Sequence, residues 1–116
     1  MLIDVNTLRG LVADLGVEAF ETLMNLFKED AGLTVQKLEH IFVEPNDETL
    51  ALEVHTLKSV AATYGAFEVL ELARDLDASC KKKIPAKDLL PQVKQLIESL
   101  KLTIAEVGTL DVSSLA

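Results

Sequence analysis

The sequence from residue 17 to residue 42, VEAFETLMNLFKEDAGLTVQKLEHIF, is the segment on which the predicted fold depends. Its apolar residues recur at steps of three and four: Phe20, Leu23, Met24, Phe27, Ala31, Val35, Leu38 and Phe42. This spacing predicts an amphipathic α-helix about 39 Å long, at 1.5 Å per residue. Gly32 lies inside the pattern, so the segment is either one helix or two helices in line. Its apolar face is continuous in both cases.

Two more helical patterns flank this long one. A short helix precedes it, and Asp4 or Asn6 is suited to cap the first turn. After the long helix, a proline in the turn 44–47 separates it from a third helix over about residues 48–64. Gly65 follows at the position where a left-handed residue ends a helix.

The rest of the chain predicts a fourth and a fifth helix. The apolar residues of the fourth are Phe67, Leu70, Leu72, Ala73 and Leu76. The apolar residues of the fifth are Val93, Leu96, Ile97, Leu100, Ile104 and Val107. The fourth helix ends near the lysines at 81–83, and Asp88 is expected to cap the fifth. The sequence therefore predicts an all-α antiparallel four-helix bundle with a short additional N-terminal helix. Residues 1–108 form this single domain, and residues 109–116 are expected to be a flexible C-terminal tail.

Composition and charge limit the fold class and the kinds of partner that the chain can have. Leu, Ala and Val supply most of the apolar content, whereas the chain has four Phe, one Tyr and no Trp, which suits packed helices. The formal net charge of −8 argues against a nucleic-acid partner, because phosphate backbones require clustered Lys and Arg. The N-terminus has no signal-peptide pattern, and no apolar run is long enough to cross a membrane. We therefore expect a cytoplasmic monomer with no membrane partner.

Motifs for nucleotides and metals are missing from the sequence. It contains no glycine-rich phosphate loop, no GxGxxG turn and no HExxH motif. The single cysteine, Cys80, excludes an internal disulfide and a multi-cysteine metal site. His40 and His55, the two histidines, fall on different predicted helices. We therefore expect no metal, no cofactor and no nucleotide site in this chain.

The third helix presents a nucleophile. At about 100° per residue its buried stripe contains Leu50, Val54, Leu57, Ala61 and Tyr64. His55 falls outside this stripe and should face solvent, and Lys58 lies one turn away with an ammonium for an incoming anion. Ala51, Ser59 and Ala62 are the small neighbours that allow a second protein to approach the ring. A phosphoryl group that moves between proteins requires this kind of exposed, uncrowded histidine.

These residues carry a family resemblance. The run HTLK at 55–58, followed by AA at 61–62 and GA at 65–66, resembles the signature of histidine phosphotransfer (Hpt) domains in multistep phosphorelays. The long helix, the turn after it and the leucine-rich fourth helix match the order of elements in that family. The resemblance implies that His55 is the phosphoacceptor and that Lys58 assists phosphoryl binding.

The resemblance also implies partners. They are the receiver domains of a hybrid sensor kinase and of a response regulator, with Mg²⁺ and the aspartyl phosphate supplied by the receiver. The chain itself would be a phosphocarrier rather than an enzyme, and Gly65 would turn it between the two central helices. The residues alone leave two alternatives open. One is an adaptor of the same fold that is never phosphorylated, and the other is the phosphoacceptor domain of a chemotaxis-type histidine kinase.

The sequence departs from the family pattern at three positions. Ser59 stands where Gly usually follows the Lys, a variant that also resembles phosphotransfer proteins of bacterial quorum sensing. Val60 replaces a small polar residue and should point toward the core. Asp77, twenty-two residues after His55, stands where a Gln or Glu orients the ring in the family. Its side chain is shorter, so it is either an orienting group for the ring or a solvated carboxylate.

Overall fold

The structure is a computed structural model that describes residues 2–115. Its α-helices are α1 (Val5–Leu15), α2 (Val17–Val43), α3 (Asp47–Tyr64), α4 (Phe67–Lys81) and α5 (Leu90–Gly108). One-turn 3₁₀ helices lie at Ala86–Asp88 and Val112–Ser114. The most extensive contacts are those of α3 with α4 and of α2 with α5, and α1 packs against α2. The predicted four-helix bundle with a short N-terminal helix is confirmed.

Helix α2 runs without a break through Gly32, so the long pattern is one helix. Its buried residues are Phe20, Met24, Phe27, Ala31, Val35, Leu38 and Ile41. The prediction was wrong at the C-terminal end, where Ile41 is 1% exposed and Phe42 is 42% exposed. Both residues lie near the edge of the apolar stripe, so periodicity does not separate them. Phe42 instead lines a shallow surface groove with Ile97 of α5.

Helix α3 buries the face that its sequence predicts. Leu50, Val54, Leu57 and Ala61 are buried. The ring of Tyr64, which is partly buried, meets Phe27 of α2 edge to face, with 4.8 Å between the ring centroids. Asn46 caps the helix, because its side chain accepts a hydrogen bond from the Thr49 amide at 2.9 Å. The opposite face of α3 stays open to solvent.

Helix α4 buries a face that differs from the predicted one at its start. Val69, Ala73 and Leu76 are buried, whereas Phe67 is 51% exposed. Phe67 is the first residue of the helix and lies beyond the edge of the buried stripe. Asp77 is also buried, which hydrophobicity alone does not predict for an acidic residue.

The start of α5 corrects another prediction. Asp88 does not cap this helix, because Leu89 occupies the N-cap position and makes no side-chain capping bond. Asp88 belongs to the preceding 3₁₀ turn, in which its amide donates to the Pro85 carbonyl at 2.9 Å. The expected apolar face of α5 is present, with Ile104 partly buried and the other predicted residues buried.

The end of the chain differs from the predicted loose tail. Leu115 is 6% exposed, and Leu110 and Val112 pack against the core. The one-turn helix at Val112–Ser114 contacts α2, so these apolar side chains cover the end of the bundle. Burial of three apolar residues offsets the entropy of ordering residues 109–115. Ala116, the last residue of the predicted tail, lies outside the described residues.

A single left-handed residue links α3 to α4. Gly65 has φ 70° and ψ 26°, and its carbonyl accepts a hydrogen bond from the Asp4 amide at 2.9 Å. A Cβ atom at this position would lie 2.9 Å from the Cβ atom of Thr7 and 3.2 Å from that of Asp4. Backbone conformation and close packing against the N-terminal segment therefore both require glycine here. None of the helices within residues 2–115 is long and apolar enough to span a bilayer.

We predict that Gly65→Ala lowers the free energy of unfolding by about 2 kcal/mol or more, because left-handed strain adds to the clash with Thr7. Gly32→Ala is the matched control, since a Cβ atom there meets nothing within 4 Å and α2 is regular. This control should stabilise the protein by up to about 1 kcal/mol. Urea unfolding followed by circular dichroism measures both. Equal unfolding midpoints for Gly65→Ala and wild type would contradict this account of the turn.

Candidate functional site

His55 projects from the open face of α3. Its side chain is 67% exposed, and it makes no hydrogen bond within residues 2–115. Ser59 and Ala62, four and seven positions later on the same face, are exposed, and Ala51 is partly exposed. The structure therefore brings together the histidine and the small residues expected around it. The ring is accessible to another protein.

A buried carboxylate lies beneath this histidine. The side chain of Asp77, on α4, is 7% exposed, and its Oδ1 atom lies 4.0 Å from Nδ1 of His55. Its Oδ2 atom accepts a hydrogen bond from Nζ of Lys58 at 2.7 Å. The same oxygen lies 2.9 Å from Nζ of Lys81. Four ionisable side chains from α3 and α4 thus form one cluster.

The helical hairpin explains why these residues meet. His55 lies ten residues before Gly65 and Asp77 lies twelve after it, so the antiparallel pairing of α3 with α4 brings them to the same level. Lys58 follows His55 by three residues and Lys81 follows Asp77 by four, and each pair shares one helix face. The cluster is therefore a consequence of one tight turn and two regular helices.

The two lysines keep Asp77 charged. Hydrogen bonds from Lys58 and then from Lys81 lower the pKa of the Asp77 carboxyl below its ordinary value of 3.8. Burial acts in the opposite direction, but its effect is smaller than that of the lysines. Asp77 is thus a carboxylate at neutral pH. With two ammonium groups on one carboxylate, these three side chains carry a net charge of +1.

These contacts exclude one of the two interpretations of Asp77. The solvated carboxylate is wrong, because the side chain is almost fully buried and bound to two lysines. The separation of 4.0 Å from His55 is an ion-pair distance and is longer than a hydrogen bond. The shorter aspartate therefore stops just short of the ring. Nδ1 is the ring nitrogen near the carboxylate, and Nε2 is the other ring nitrogen.

Two features of Lys58 and Lys81 differ from the sequence analysis. Lys58 is expected to offer a free ammonium, but its side chain is 26% exposed and its ammonium is bonded to Asp77. Lys81 is not predicted as part of the site at all. The available signal was its spacing of four residues from Asp77 on one helix. The spacing alone does not assign Lys81 to the site, because i,i+4 pairs of opposite charge are common on exposed helix faces and the burial of Asp77 is not evident from the sequence.

The two residues at which the motif after Lys58 departs from the family pattern lie on different sides of α3. Ser59 is exposed, and its backbone carbonyl accepts a hydrogen bond from Oγ1 of Thr63 at 3.0 Å. Val60 is partly buried against the core, as its position predicts. Within residues 2–115 no group of three or more His, Cys, Asp or Glu side chains could hold a metal ion.

Cys80 is the other nucleophilic side chain near the cluster. It is a free, partly buried thiol, and burial together with the charge of Asp77 raises its pKa above the ordinary value of 9.0. The thiol is therefore protonated at neutral pH and is a poor nucleophile. An exposed imidazole needs no such activation. His55 is therefore more accessible to an incoming reactant than the Cys80 thiol.

We predict that Asp77→Asn reduces the loss of stability in acid. The native pKa of Asp77 lies below the unfolded value, so its contribution to stability is complete above about pH 4 and disappears as pH falls through the native pKa. The urea midpoint should therefore drop less for Asp77→Asn than for wild type between about pH 5 and about pH 2.

Asp75→Asn is the matched control, because Asp75 is an exposed carboxylate on the same helix. It should retain the full acid-dependent drop. An equal drop for wild type and Asp77→Asn would show that the ion pairs of Asp77 contribute nothing to the pH dependence.

Comparisons with known proteins agree with the fold. The solved Hpt domain of an Hpt sensor hybrid histidine kinase from Shewanella superposes with a TM-score of 0.79 and 17% identity, over 92% of this chain and 91% of that one. Histidine-containing phosphotransfer protein B from Pseudomonas aeruginosa also gives 0.79, with 15% identity, over 91% of this chain and 90% of that one. No curated protein sequence matches the chain.

A sequence model of a protein family covers most of the bundle. The family is described as the Hpt domain, and the match extends over residues 22–107. This range includes α3 and α4, which carry His55 and the cluster of Asp77 with its two lysines. The chain therefore belongs to the Hpt family and is a histidine phosphotransfer domain of the two-component phosphorelay type.

Proposed function

We propose that His55 carries the phosphoryl group, taking it from an aspartyl phosphate on one receiver domain and passing it to an aspartate on another. The observation that supports this most is the exposure of the imidazole directly above a cluster with a net positive charge. A nucleophile, a positive environment for an anion and free access for a partner are combined at one point. No other histidine of the chain has such a neighbourhood, because His40 lies beside Glu44.

The transfer requires only the imidazole of this chain as a nucleophile. The lone pair on Nε2 of neutral His55 attacks phosphorus, and an N–P bond forms as the P–O bond to the receiver aspartate breaks. The aspartate leaves as a carboxylate with that electron pair, while the proton on Nδ1 stays beside Asp77. In the second transfer, a carboxylate oxygen of the next receiver attacks phosphorus, and the electron pair of the N–P bond returns to Nε2.

In this proposal each charged neighbour has a separate role. Asp77 faces Nδ1 and stabilises the tautomer that leaves Nε2 free to attack. Lys58 provides positive charge for the oxygens of the phosphoryl group. In this proposal Mg²⁺ and the reactive aspartate come from the receiver, so the domain acts as a phosphocarrier without a nucleotide or turnover of its own.

The surface around His55 is the proposed docking face. Ala51, Ser59 and Ala62 leave the ring uncovered on α3. Beside them, a groove between α2 and α3 is lined by Leu33 and Leu52, which are 52% and 63% exposed. Exposed apolar side chains beside a reactive residue are typical of protein-binding surfaces. The proposed partners are the receiver domains of a hybrid sensor kinase and of a response regulator, which a monomer meets in the cytoplasm.

We predict that a phosphorylated receiver domain transfers its label to wild-type protein and not to His55→Gln. The label should be acid-labile and base-stable, as expected for phosphohistidine. His40→Gln is the matched control, because His40 is also exposed, at 66%, and should accept label at the wild-type rate if His55 is the acceptor. Incubation with labelled receiver and Mg²⁺, followed by gel autoradiography, measures the transfer.

Equal labelling of wild type and His55→Gln would remove His55 as the acceptor and with it the proposed mechanism. If wild type takes no label from any receiver tested, the unphosphorylated adaptor becomes the better interpretation of the same fold.

A further inference from the structure

We propose that Lys81 is a positioning residue that keeps Asp77 neutralised while Lys58 leaves it for the phosphoryl group on His55. This inference rests on the proposed phosphocarrier function and adds a residue that the sequence pattern does not assign. Lys81 does not touch the reacting atoms in this scheme. It acts through Asp77, and its effect is to make Lys58 mobile.

The contacts of one oxygen atom motivate the proposal. Nζ of Lys58 and Nζ of Lys81 lie 2.7 Å and 2.9 Å from the same Oδ2 atom of Asp77. The Asp77 side chain is only 7% exposed while both lysines are bound, so the two ammonium groups are its main compensation for leaving bulk water. A buried carboxylate with a single cation would hold that cation tightly. A carboxylate with two cations can release one and remain paired.

The helices determine which lysine moves. Lys58 shares α3 with His55 at a spacing of three residues, so its flexible side chain can swing from Asp77 toward a phosphoryl group on the ring. Lys81 shares α4 with Asp77 at a spacing of four residues, so its ion pair is independent of α3. Lys81 is also the last residue of α4, where the helix dipole favours a positive charge. Lys81 is therefore the fixed cation and Lys58 the mobile one.

The number of ammonium groups near Asp77 determines what the loss of Lys81 does to phosphoryl transfer. In wild type the phosphoryl group meets two ammonium groups and one carboxylate. Without Lys81, Lys58 must serve both the buried Asp77 and the incoming phosphoryl oxygens. Either the carboxylate is left unpaired beside a second anion or the phosphoryl group loses its cation, and both outcomes slow the reaction. If the charge of Asp77 is removed as well, Lys58 no longer has two anions to pair with, and the loss of Lys81 should have no effect.

The test uses phosphoramidate, a small phosphoryl donor, so that receiver docking plays no part. Nε2 of His55 attacks phosphorus, the P–N bond of the donor breaks and ammonia leaves. We expect Lys81→Ala to lower the initial rate of His55 phosphorylation about tenfold, and Lys81→Arg to restore most of it. In the Asp77→Asn background, Lys81→Ala should have no further effect, because Lys58 is no longer held. Lys82→Ala is the matched control, since Lys82 is an exposed neighbour with no ion pair in the described part of the chain.

Two results would overturn the inference. One is a wild-type rate for Lys81→Ala, and the other is an equal loss from Lys81→Ala with and without the charge of Asp77. Both leave the phosphocarrier function intact, provided that wild type is labelled and His55→Gln is not. Labelling of His55→Gln at the wild-type rate would instead disprove the proposed function itself. Lys81 is 68% exposed, so its variants should fold, and circular dichroism verifies this.

Discussion

The structure of the site depends on the left-handed turn at Gly65. This residue ends α3, accepts a hydrogen bond from the Asp4 amide, and allows α4 to start after a single further residue. So short a link fixes the register of the two helices, because neither can slide along the other without breaking the turn. The register in turn places a carboxylate of α4 beneath the histidine of α3. A packing constraint at one end of the hairpin thus determines the geometry of the proposed phosphoacceptor site about three helical turns away.

Asp77 is the second element of this arrangement, and its burial has an energetic cost. Removing a carboxylate from water is unfavourable, and two lysines on one oxygen offset that cost. A neutral side chain at this position would need neither lysine. In the proposed mechanism the ion pairs also serve function, because they hold positive charge directly beneath an exposed imidazole. In the proposed mechanism the same carboxylate orients the ring and regulates the availability of Lys58.

The sequence predicted the parts of this protein that depend on periodicity. The long stripe of α2, the buried face of α3 and the outward direction of His55 follow from helical spacing alone. Features set by tertiary contacts were not predictable in this way. Ile41 and Phe42 are both compatible with the stripe, and only the tertiary packing, which buries Ile41 and leaves Phe42 partly exposed, distinguishes them. The burial of Asp77 and the inclusion of Lys81 require knowledge of the register between α3 and α4, which no single-helix pattern contains. The ordered end of the chain likewise depends on the contact of α2 with the one-turn helix at Val112–Ser114.

The central claim is that Asp77 faces Nδ1 of His55 and thereby leaves Nε2 as the nucleophile. Nuclear magnetic resonance of the phosphorylated protein, with ¹⁵N-labelled histidine, tests it most directly through the nitrogen–phosphorus coupling. The account predicts that this coupling appears on Nε2 of His55 and that Nδ1 carries a proton. Coupling on Nδ1, or on either nitrogen of His40, would contradict it.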